Sequence, residues 1–187
     1  MKSTLVMFIA FLLLIGGGLA AAQSSEEEFD LSVDTFLQNR YPMGSYADYV
    51  STGVGAGTQL NVHIESLGGV IPYMGIDYSY GFSEVDYVDH IQDFGITLGA
   101  GYPFALTEEI TVVPELGYGL MLHRASGDIE GSSNKGYADQ ALRSGVKGLY
   151  ALGETVELYL APTYTLFLEE EEAGMELGYQ LGARFNF

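Results

Sequence analysis

Apolar and polar residues alternate with a period of two along most of this chain. From Val54 to Glu65 one face carries mainly aliphatic side chains, and the other carries glycine, Gln59, Asn61 and His63. This spacing is typical of a β-strand whose two faces meet different surroundings. The same division recurs in six further segments, so the pattern predicts seven clear strands: 53–65, 70–82, 94–102, 110–123, 137–150, 155–168 and 175–187.

An eighth strand is predicted from Phe29 to Gln38, where the alternation is weaker because Phe36 falls on the polar face. Closing such strands into an up-and-down barrel normally requires an even number, which favours including this segment. The connections differ in length, with short turns at 66–69, 103–109 and 151–153 and longer polar loops at 40–49, 83–89, 124–136 and 169–172. The sequence therefore predicts an eight-stranded antiparallel barrel with short turns on one rim and longer loops on the other.

The two faces of the predicted strands differ in volume. The apolar face is rich in aromatic residues, among them Tyr78, Phe82, Tyr102, Tyr150 and Phe185, whereas the opposite face is built largely of glycine. The interior of an eight-stranded barrel has room only for side chains that fill it, so the aromatic face is expected outside. An outward apolar belt requires lipid. The predicted fold class is an all-β, eight-stranded, antiparallel, up-and-down transmembrane β-barrel.

The first residues have the layout of a secretory signal peptide. Lys2 precedes an apolar run from Leu5 to Ile15, and small residues end at Ala22. We expect cleavage after Ala22, which divides the chain into a signal peptide, 1–22, and a barrel domain, 23–187. The chain has no cysteine, which excludes disulfides, thiolate metal sites and a cysteine nucleophile.

Three stretches carry a family resemblance: "IPYMGIDYSYGF" from Ile71, the "YPMGSY" bend from Tyr41 to Tyr46, and the terminal Phe187. The chain resembles the small eight-stranded outer-membrane barrels, such as the barrel of outer-membrane protein A, outer-membrane protein X and the opacity-type surface proteins. The resemblance implies a cell outer membrane location, and the short turns on one rim and longer loops on the other predict that both termini are periplasmic. It also implies that Phe185 and Phe187 belong to the signal read by the barrel assembly machinery. It does not specify an activity, because the family includes adhesins, enzymes and proteins without a settled role.

Charged residues on the inward face are costly unless they are paired. If short turns set the strand registers, Lys147 faces Glu157, and Glu157 faces Arg184, near the periplasmic end. Arg143 and Glu176 are expected higher in the lumen, with Glu115 nearby. We interpret this cluster as a filled polar lumen in a protein with a structural or surface role in the envelope. The alternative is a polar gate on a narrow channel for small solutes.

An enzymatic alternative centres on His123 at the predicted outer rim, with Ser126 and Asp128 or Glu130 behind it, as in lipid A-modifying barrels. A catalytic serine requires its base within hydrogen-bond reach. His123 and Ser126 are three residues apart, which places them on opposite faces of an extended strand. The spacing therefore argues against an enzyme, and His63 is interpreted as a hydrogen-bonded lumen residue.

The formal net charge of -18 excludes nucleic acid as a partner, because polyanions repel each other. Much of the acidity falls in the predicted outer loops, at Glu84, Asp86, Asp89, Asp128, Glu130 and 169–172. These carboxylates are interpreted as a solvated face, with loose binding of divalent cations as the alternative. No spacing in these loops matches a calcium-binding loop, and no metal site or cofactor is predicted. A monomer embedded in outer-membrane lipid is expected, and adhesion through the short loops remains a third hypothesis.

Overall fold

The computed structural model describes residues 29–48, 50–83, 85, 88–129, 132–168 and 174–187. Over these residues the chain forms nine β-strands and two short 3₁₀ helices. The strands are β1 (Phe29–Met43), β2 (Val50–Ile64), β3 (Ile71–Ser83), β4 (His90–Gly101), β5 (Phe104–Ala105), β6 (Ile110–Ile129), β7 (Ser132–Ala151), β8 (Val156–Leu168) and β9 (Met175–Asn186), and the 3₁₀ helices are Gly44–Asp48 and Glu65–Leu67. The described part of the chain contains no helical segment with the length and hydropathy of a membrane span.

Eight long strands form a closed antiparallel barrel, in which each strand pairs with its neighbours in the chain. The order is β4-β3-β2-β1-β9-β8-β7-β6, and pairing of β4 with β6 closes the ring. The two-residue β5 pairs beside β6 in the turn before it. The predicted eight-stranded, antiparallel, up-and-down fold is therefore confirmed, with β1 extending to Met43 rather than ending at Gln38.

The two faces of each strand differ in exposure as the alternation predicts. Along β1, Ser32 and Asp34 are 0 % exposed, whereas Leu37 on the other face is 68 % exposed. Leu181 on β9, which pairs with Leu37, is 65 % exposed. Large apolar side chains thus form an outward belt, and polar groups and glycines lie inside. Phe36 follows the inward parity and is buried in the lumen.

The two ends of the barrel differ, and we name them by their connections. The terminal rim carries Phe29, the carboxyl terminus and the turns 65–70, 102–109 and 152–155. The loop rim carries the ends of the strand pairs β1 and β2, β3 and β4, β6 and β7, and β8 and β9. The hairpin of β6 and β7 has strands of 20 residues each and is longer than the others. The expected signal peptide and the loop carboxylates at 84, 86, 130 and 169–172 lie outside the described residues.

Candidate functional site

Charged side chains cross the lumen in three layers, each built from inward positions of several strands. The terminal layer is Asp34, Lys147, Arg184 and Glu115; the middle layer is Gln38, Asp77 and Arg143; the loop layer is Arg40, Glu176, Asp93 and His123. These residues come from different strands, so each layer ties opposite walls of the barrel together. Four of the seven Lys and Arg residues of the chain lie in these layers.

The terminal layer is organised around the Asp34 carboxylate. Lys147 Nζ lies 2.5 Å from Asp34 Oδ2, and Arg184 donates from Nε to Asp34 Oδ1 at 2.7 Å and from Nη2 to Oδ2 at 3.0 Å. Glu115 Oε1 also accepts from Lys147 Nζ, at 2.9 Å. Two cations therefore meet two carboxylates, and each charge has an opposite partner within hydrogen-bond distance.

An aromatic ring packs against the terminal layer. Lys147 Nζ lies 4.9 Å from the centroid of the Tyr159 ring. That ring lies over Gly182, where an added Cβ would stand 2.7 Å from Tyr159 Cζ and would also meet the Thr35 carbonyl. Only glycine leaves room for this close approach. The glycine face predicted from the sequence thus allows large side chains to lie flat across a narrow lumen.

The middle layer joins Asp77 on β3 to Arg143 on β7. Arg143 Nη1 donates to Asp77 Oδ1 at 2.9 Å, and Gln38 Nε2 donates to Asp77 Oδ2 at 3.1 Å. A cavity of about 20 Å³ lies beside this pair, also lined by Gln59 and Glu115. A cavity of this size and polarity has room for about one water molecule.

The loop layer is organised around the Arg40 guanidinium. Arg40 donates from Nε to Glu176 at 2.6 Å and from Nη1 to Asp93 at 2.8 Å, and it also contacts the Ser79 hydroxyl. The second oxygen of Asp93 lies 2.7 Å from His123 Nδ1. On its other side, His123 Nε2 lies 3.4 Å from Asp139 Oδ2.

The terminal end of the lumen opens to a vestibule of about 540 Å³ lined by Asp30, His63, Glu157 and Arg184 among others. His63 Nε2 lies 3.1 Å from Ser32 Oγ, in line with the sequence interpretation of a hydrogen-bonded lumen histidine. The terminal layer forms the inner end of this vestibule, because Arg184 belongs to both. The polar interior is therefore open on the terminal side and crossed by ion pairs further in.

The structure pairs the residues of the predicted cluster differently from what the sequence suggests. Glu157 pairs with Arg184 across β8 and β9 as expected, but the nearest carboxylate partner of Arg184 is Asp34. Across β7 and β8, Glu157 pairs with Ala151 and not with Lys147. The reason is the turn, which spans 152–155 and is closed by the Leu152 N–H donating to the Val156 carbonyl at 2.9 Å. This shift keeps the inward parity but separates Glu157 from Lys147.

The remaining predicted members are distributed over all three layers. Glu115 joins Lys147 in the terminal layer, Arg143 lies in the middle layer and Glu176 lies in the loop layer. Sequence reasoning missed their partners, which are Asp34, Asp77, Asp93 and Arg40. Each of the three aspartates stands at an inward position of a predicted strand or just before one, and that parity was the signal available. Arg40 was assigned to a loop because the predicted β1 was too short.

His123 is buried and contributes to the loop layer. Its ring stacks on Tyr137 at 4.8 Å and meets Phe167 edge-on at 5.4 Å. Ser126, its proposed catalytic partner, pairs with His90 on the outward parity of β6. Among the described residues, no group of three or more His, Asp or Glu side chains could hold a metal ion.

The carboxyl-terminal aromatics complete the seam between β1 and β9. Phe185 pairs with Val33, and the Phe187 N–H donates to the Leu31 carbonyl at 2.9 Å. Both rings are exposed on the outside of the barrel, Phe187 at 79 %. They lie where an aromatic girdle of a membrane barrel is expected.

No protein-family model matches the chain, and no curated protein sequence matches it. Several solved structures match the chain. Neisserial surface protein A is 19 % identical over 85 % of this chain and 97 % of its own, with a TM-score of 0.55. Ail, the attachment invasion locus protein of Yersinia pestis, is 16 % identical over 86 % and 99 %, with a TM-score of 0.54. OprG from Pseudomonas aeruginosa is 12 % identical over 86 % and 97 %, with a TM-score of 0.60. The chain therefore has the fold of the small eight-stranded outer-membrane β-barrels.

Proposed function

We propose that this protein is an integral outer-membrane barrel with a structural or surface role in the cell envelope and a lumen closed to solutes. The observation that carries the proposal is the combination of an outward apolar belt with three ion-paired layers inside. The belt has a favourable solvent in lipid and none in water. The likeness to outer-membrane barrels of several bacteria supports the same location.

The closed lumen is supported by the way each layer spans the interior. A hydrated ion would have to separate Asp34 from its two cations, then Asp77 from Arg143, then Arg40 from its two carboxylates. Separating buried, hydrogen-bonded ion pairs is costly. The cavity beside Asp77 and Arg143 has room for about one water molecule, which is too little for a continuous water column.

Planar-bilayer conductance of the refolded protein tests this point and decides between the plug and the narrow channel. We expect the conductance to stay at that of the protein-free bilayer. Heat-modifiable migration of the same sample verifies that the barrel has folded. A reproducible single-channel conductance from inserted wild-type protein would contradict the closed lumen and favour the channel. The location in a membrane would stand in either case.

We further propose that the barrel is not an enzyme. His123 faces the lumen between Asp93 and Asp139, where an acyl chain has no access from the belt. Release or transfer of labelled acyl chains from lipid A should be absent in the wild type. Activity that disappeared in His123→Ala would overturn the proposal.

Loose binding of divalent cations at the loop rim is part of the proposal. Asp48 and Asp89 are exposed there, and further carboxylates are present in the adjoining loop sequences. Carboxylate oxygens are the ligands that Mg²⁺ and Ca²⁺ prefer, and such cations would bridge to neighbouring anionic headgroups. Millimolar Mg²⁺ should raise the apparent melting temperature in lipid more than equal ionic strength supplied as NaCl.

We propose that the chain assembles as a monomer, with the terminal rim periplasmic and with Phe185 and Phe187 forming part of the signal read by the barrel assembly machinery. Support comes from the position of both rings on the last strand at the β1–β9 seam. Removing Phe187 should lower the amount of assembled barrel in cells while leaving refolding of the purified chain in detergent nearly unchanged. Equal losses in cells and in detergent would indicate a purely structural contribution.

A further inference from the structure

A row of polar side chains crosses three strands on the outside of the barrel near the loop rim. Tyr80 on β3 pairs with Gln92 on β4, and Gln92 pairs with Arg124 on β6. All three residues stand at outward parity, since Ser79, Asp93 and His123 beside them face the lumen. The row therefore presents a phenol, an amide and a guanidinium side by side to the surroundings of the barrel.

Side-chain contacts hold part of this row in place. Gln92 Nε2 and His90 Nε2 are 3.1 Å apart, and the His90 ring stacks on Tyr80 at 4.8 Å between centroids. On the other side of Arg124, the paired residue on β7 is Gly136, which has no side chain to cover the guanidinium. The exposed Arg124 thus lies between Gln92, which is held by His90, and Gly136.

Arg124 differs from the other basic residues of the chain. Among the described side chains it is the one Lys or Arg outside the lumen, and no described carboxylate lies within salt-bridge distance of it. Arg40, Arg143, Lys147 and Arg184 are all used in internal ion pairs. A single outward guanidinium on a strongly acidic protein marks the place where an external negative group would be attracted rather than repelled.

The position of the row along the barrel axis fits a lipid headgroup. The next outward positions toward the middle of the barrel are Tyr78, Phe94 and Leu122, which pair with one another in the same way. They belong to the apolar belt and are 47 %, 40 % and 49 % exposed. Above the row β3 and β4 end within three residues, at Ser83 and His90, whereas β6 continues to Ile129. Polar aromatic and basic side chains at such a boundary lie at the depth of headgroup phosphates.

We propose that Arg124, with Gln92 and Tyr80 beside it, binds the phosphate of an anionic lipid headgroup in the leaflet around the loop rim. The guanidinium fork is suited to phosphate oxygens, and a neighbouring amide supplies a further donor. The occupant is a lipid rather than a free anion, because the belt below the row holds the acyl chains while the net charge of the protein repels dissolved anions. This inference rests on the proposed insertion of the belt into a bilayer.

The test compares lipid selectivity of the wild type and three variants in nanodiscs of phosphatidylcholine with a minority of phosphatidylglycerol. Phosphatidylglycerol is the probe, and its retention by the protein relative to phosphatidylcholine is measured by native mass spectrometry. Arg124→Gln should lower the relative retention about fivefold, the effect of one basic residue at a membrane surface. Gln92→Ala should lower the relative retention about threefold, the low end of the net contribution of one hydrogen bond. Asn39→Ala is the matched control. Asn39 is exposed on the outside at the same height as the row, because it pairs with Val54, which pairs with Tyr80. This variant should leave the relative retention of phosphatidylglycerol unchanged.

Normal insertion with unchanged selectivity in Arg124→Gln would overturn the headgroup site and leave the proposed function standing. A loss as large in Asn39→Ala as in Arg124→Gln would also overturn it, because the effect would not be local. Failure of the wild type itself to insert would overturn the proposed function and the headgroup site with it. Circular dichroism of each nanodisc sample separates insertion from selectivity.

Discussion

At the terminal end of the lumen one carboxylate lies between two cations, whereas at the loop end one cation lies between two carboxylates. Asp34 accepts from Lys147 and Arg184, and Arg40 donates to Glu176 and Asp93. Both central residues are on β1, six residues apart on the inward face, and both are almost fully buried. The same strand thus supplies opposite charges to the two ends of the interior.

The two layers differ in how they would respond to the loss of the central residue. In the terminal layer, Asp34 is shared by both cations, and Glu115 reaches Lys147 but is not paired with Arg184. In the loop layer, Asp93 already has a second donor in His123 at 2.7 Å. The terminal layer therefore depends more completely on its centre, although its charges are better balanced.

The largest effect is expected from Asp34→Asn. The substitution leaves Lys147 and Arg184 buried with only Glu115 as a counter-charge, so the free energy of unfolding should fall by about 4 kcal/mol. Urea titration of the refolded barrel in lipid vesicles, followed by circular dichroism because the chain has no tryptophan, measures the change. Asp30→Asn, an exposed change on the same strand, is the control and should stay within about 0.5 kcal/mol. Equal effects from both would remove Asp34 from the centre of the layer.

Arg40→Gln should have a smaller but still large effect, a loss of about 3 kcal/mol. Glu176 and Asp93 would lose their shared cation, while His123 would continue to bind Asp93. The same urea titration applies. A loss greater than that of Asp34→Asn would reverse the ranking of the two layers and show that His123 does not compensate.

Gly182→Ala tests the packing above the terminal layer and should cost about 2 kcal/mol, the range of overpacked cores. The new methyl group would press against Tyr159 and the Thr35 carbonyl, displacing the ring from Lys147. Gly148→Ala is the matched control on the outward face of β7, where the nearest atom to an added Cβ is 3.8 Å away. Stability in detergent should therefore separate the two glycines clearly, and similar values would argue against a ring held over Gly182.

The smallest effect is expected from Glu157→Gln. The sequence-based cluster placed this carboxylate at its centre, but in the structure it lies in the vestibule, with Asn186 Nδ2 at 3.5 Å. A partly exposed group of this kind contributes little, so unfolding should change by less than about 0.5 kcal/mol. A loss comparable with that of Asp34→Asn would restore Glu157 to the ion-pair network.

The fold could be predicted because alternation is a property of each strand alone. The glycine-rich and aromatic faces of β2, β3 and β9 identify inward and outward residues without knowledge of any neighbour. Closure follows from the even number of strands and the short connections. The limits of β1 were harder to predict, because Tyr41, Pro42 and Met43 resemble a loop in composition although they pair with β9.

The pairing inside the lumen could be predicted only in part. Parity placed Lys147, Arg184 and Glu115 in the interior, but the partner of each depends on strand register, which the turns determine. The turn at 152–155 pairs Glu157 with Ala151, and the carboxylate nearest to Lys147 is Asp34 instead. The contacts between Asp34 and Lys147 also cross the barrel between strands that are not adjacent, and no local pattern carries that information.

Because four of the seven basic residues are sequestered in the interior, folding changes the electrostatic character of this polypeptide. In the unfolded chain those four cations are exposed to water, and so are the five carboxylates that they meet in the lumen. After folding, Arg124 is the one Lys or Arg outside the lumen among the described side chains, so the charges that stay exposed beside the apolar belt are mostly negative. The folded barrel should therefore attract cations and repel polyanions more uniformly than the unfolded chain does.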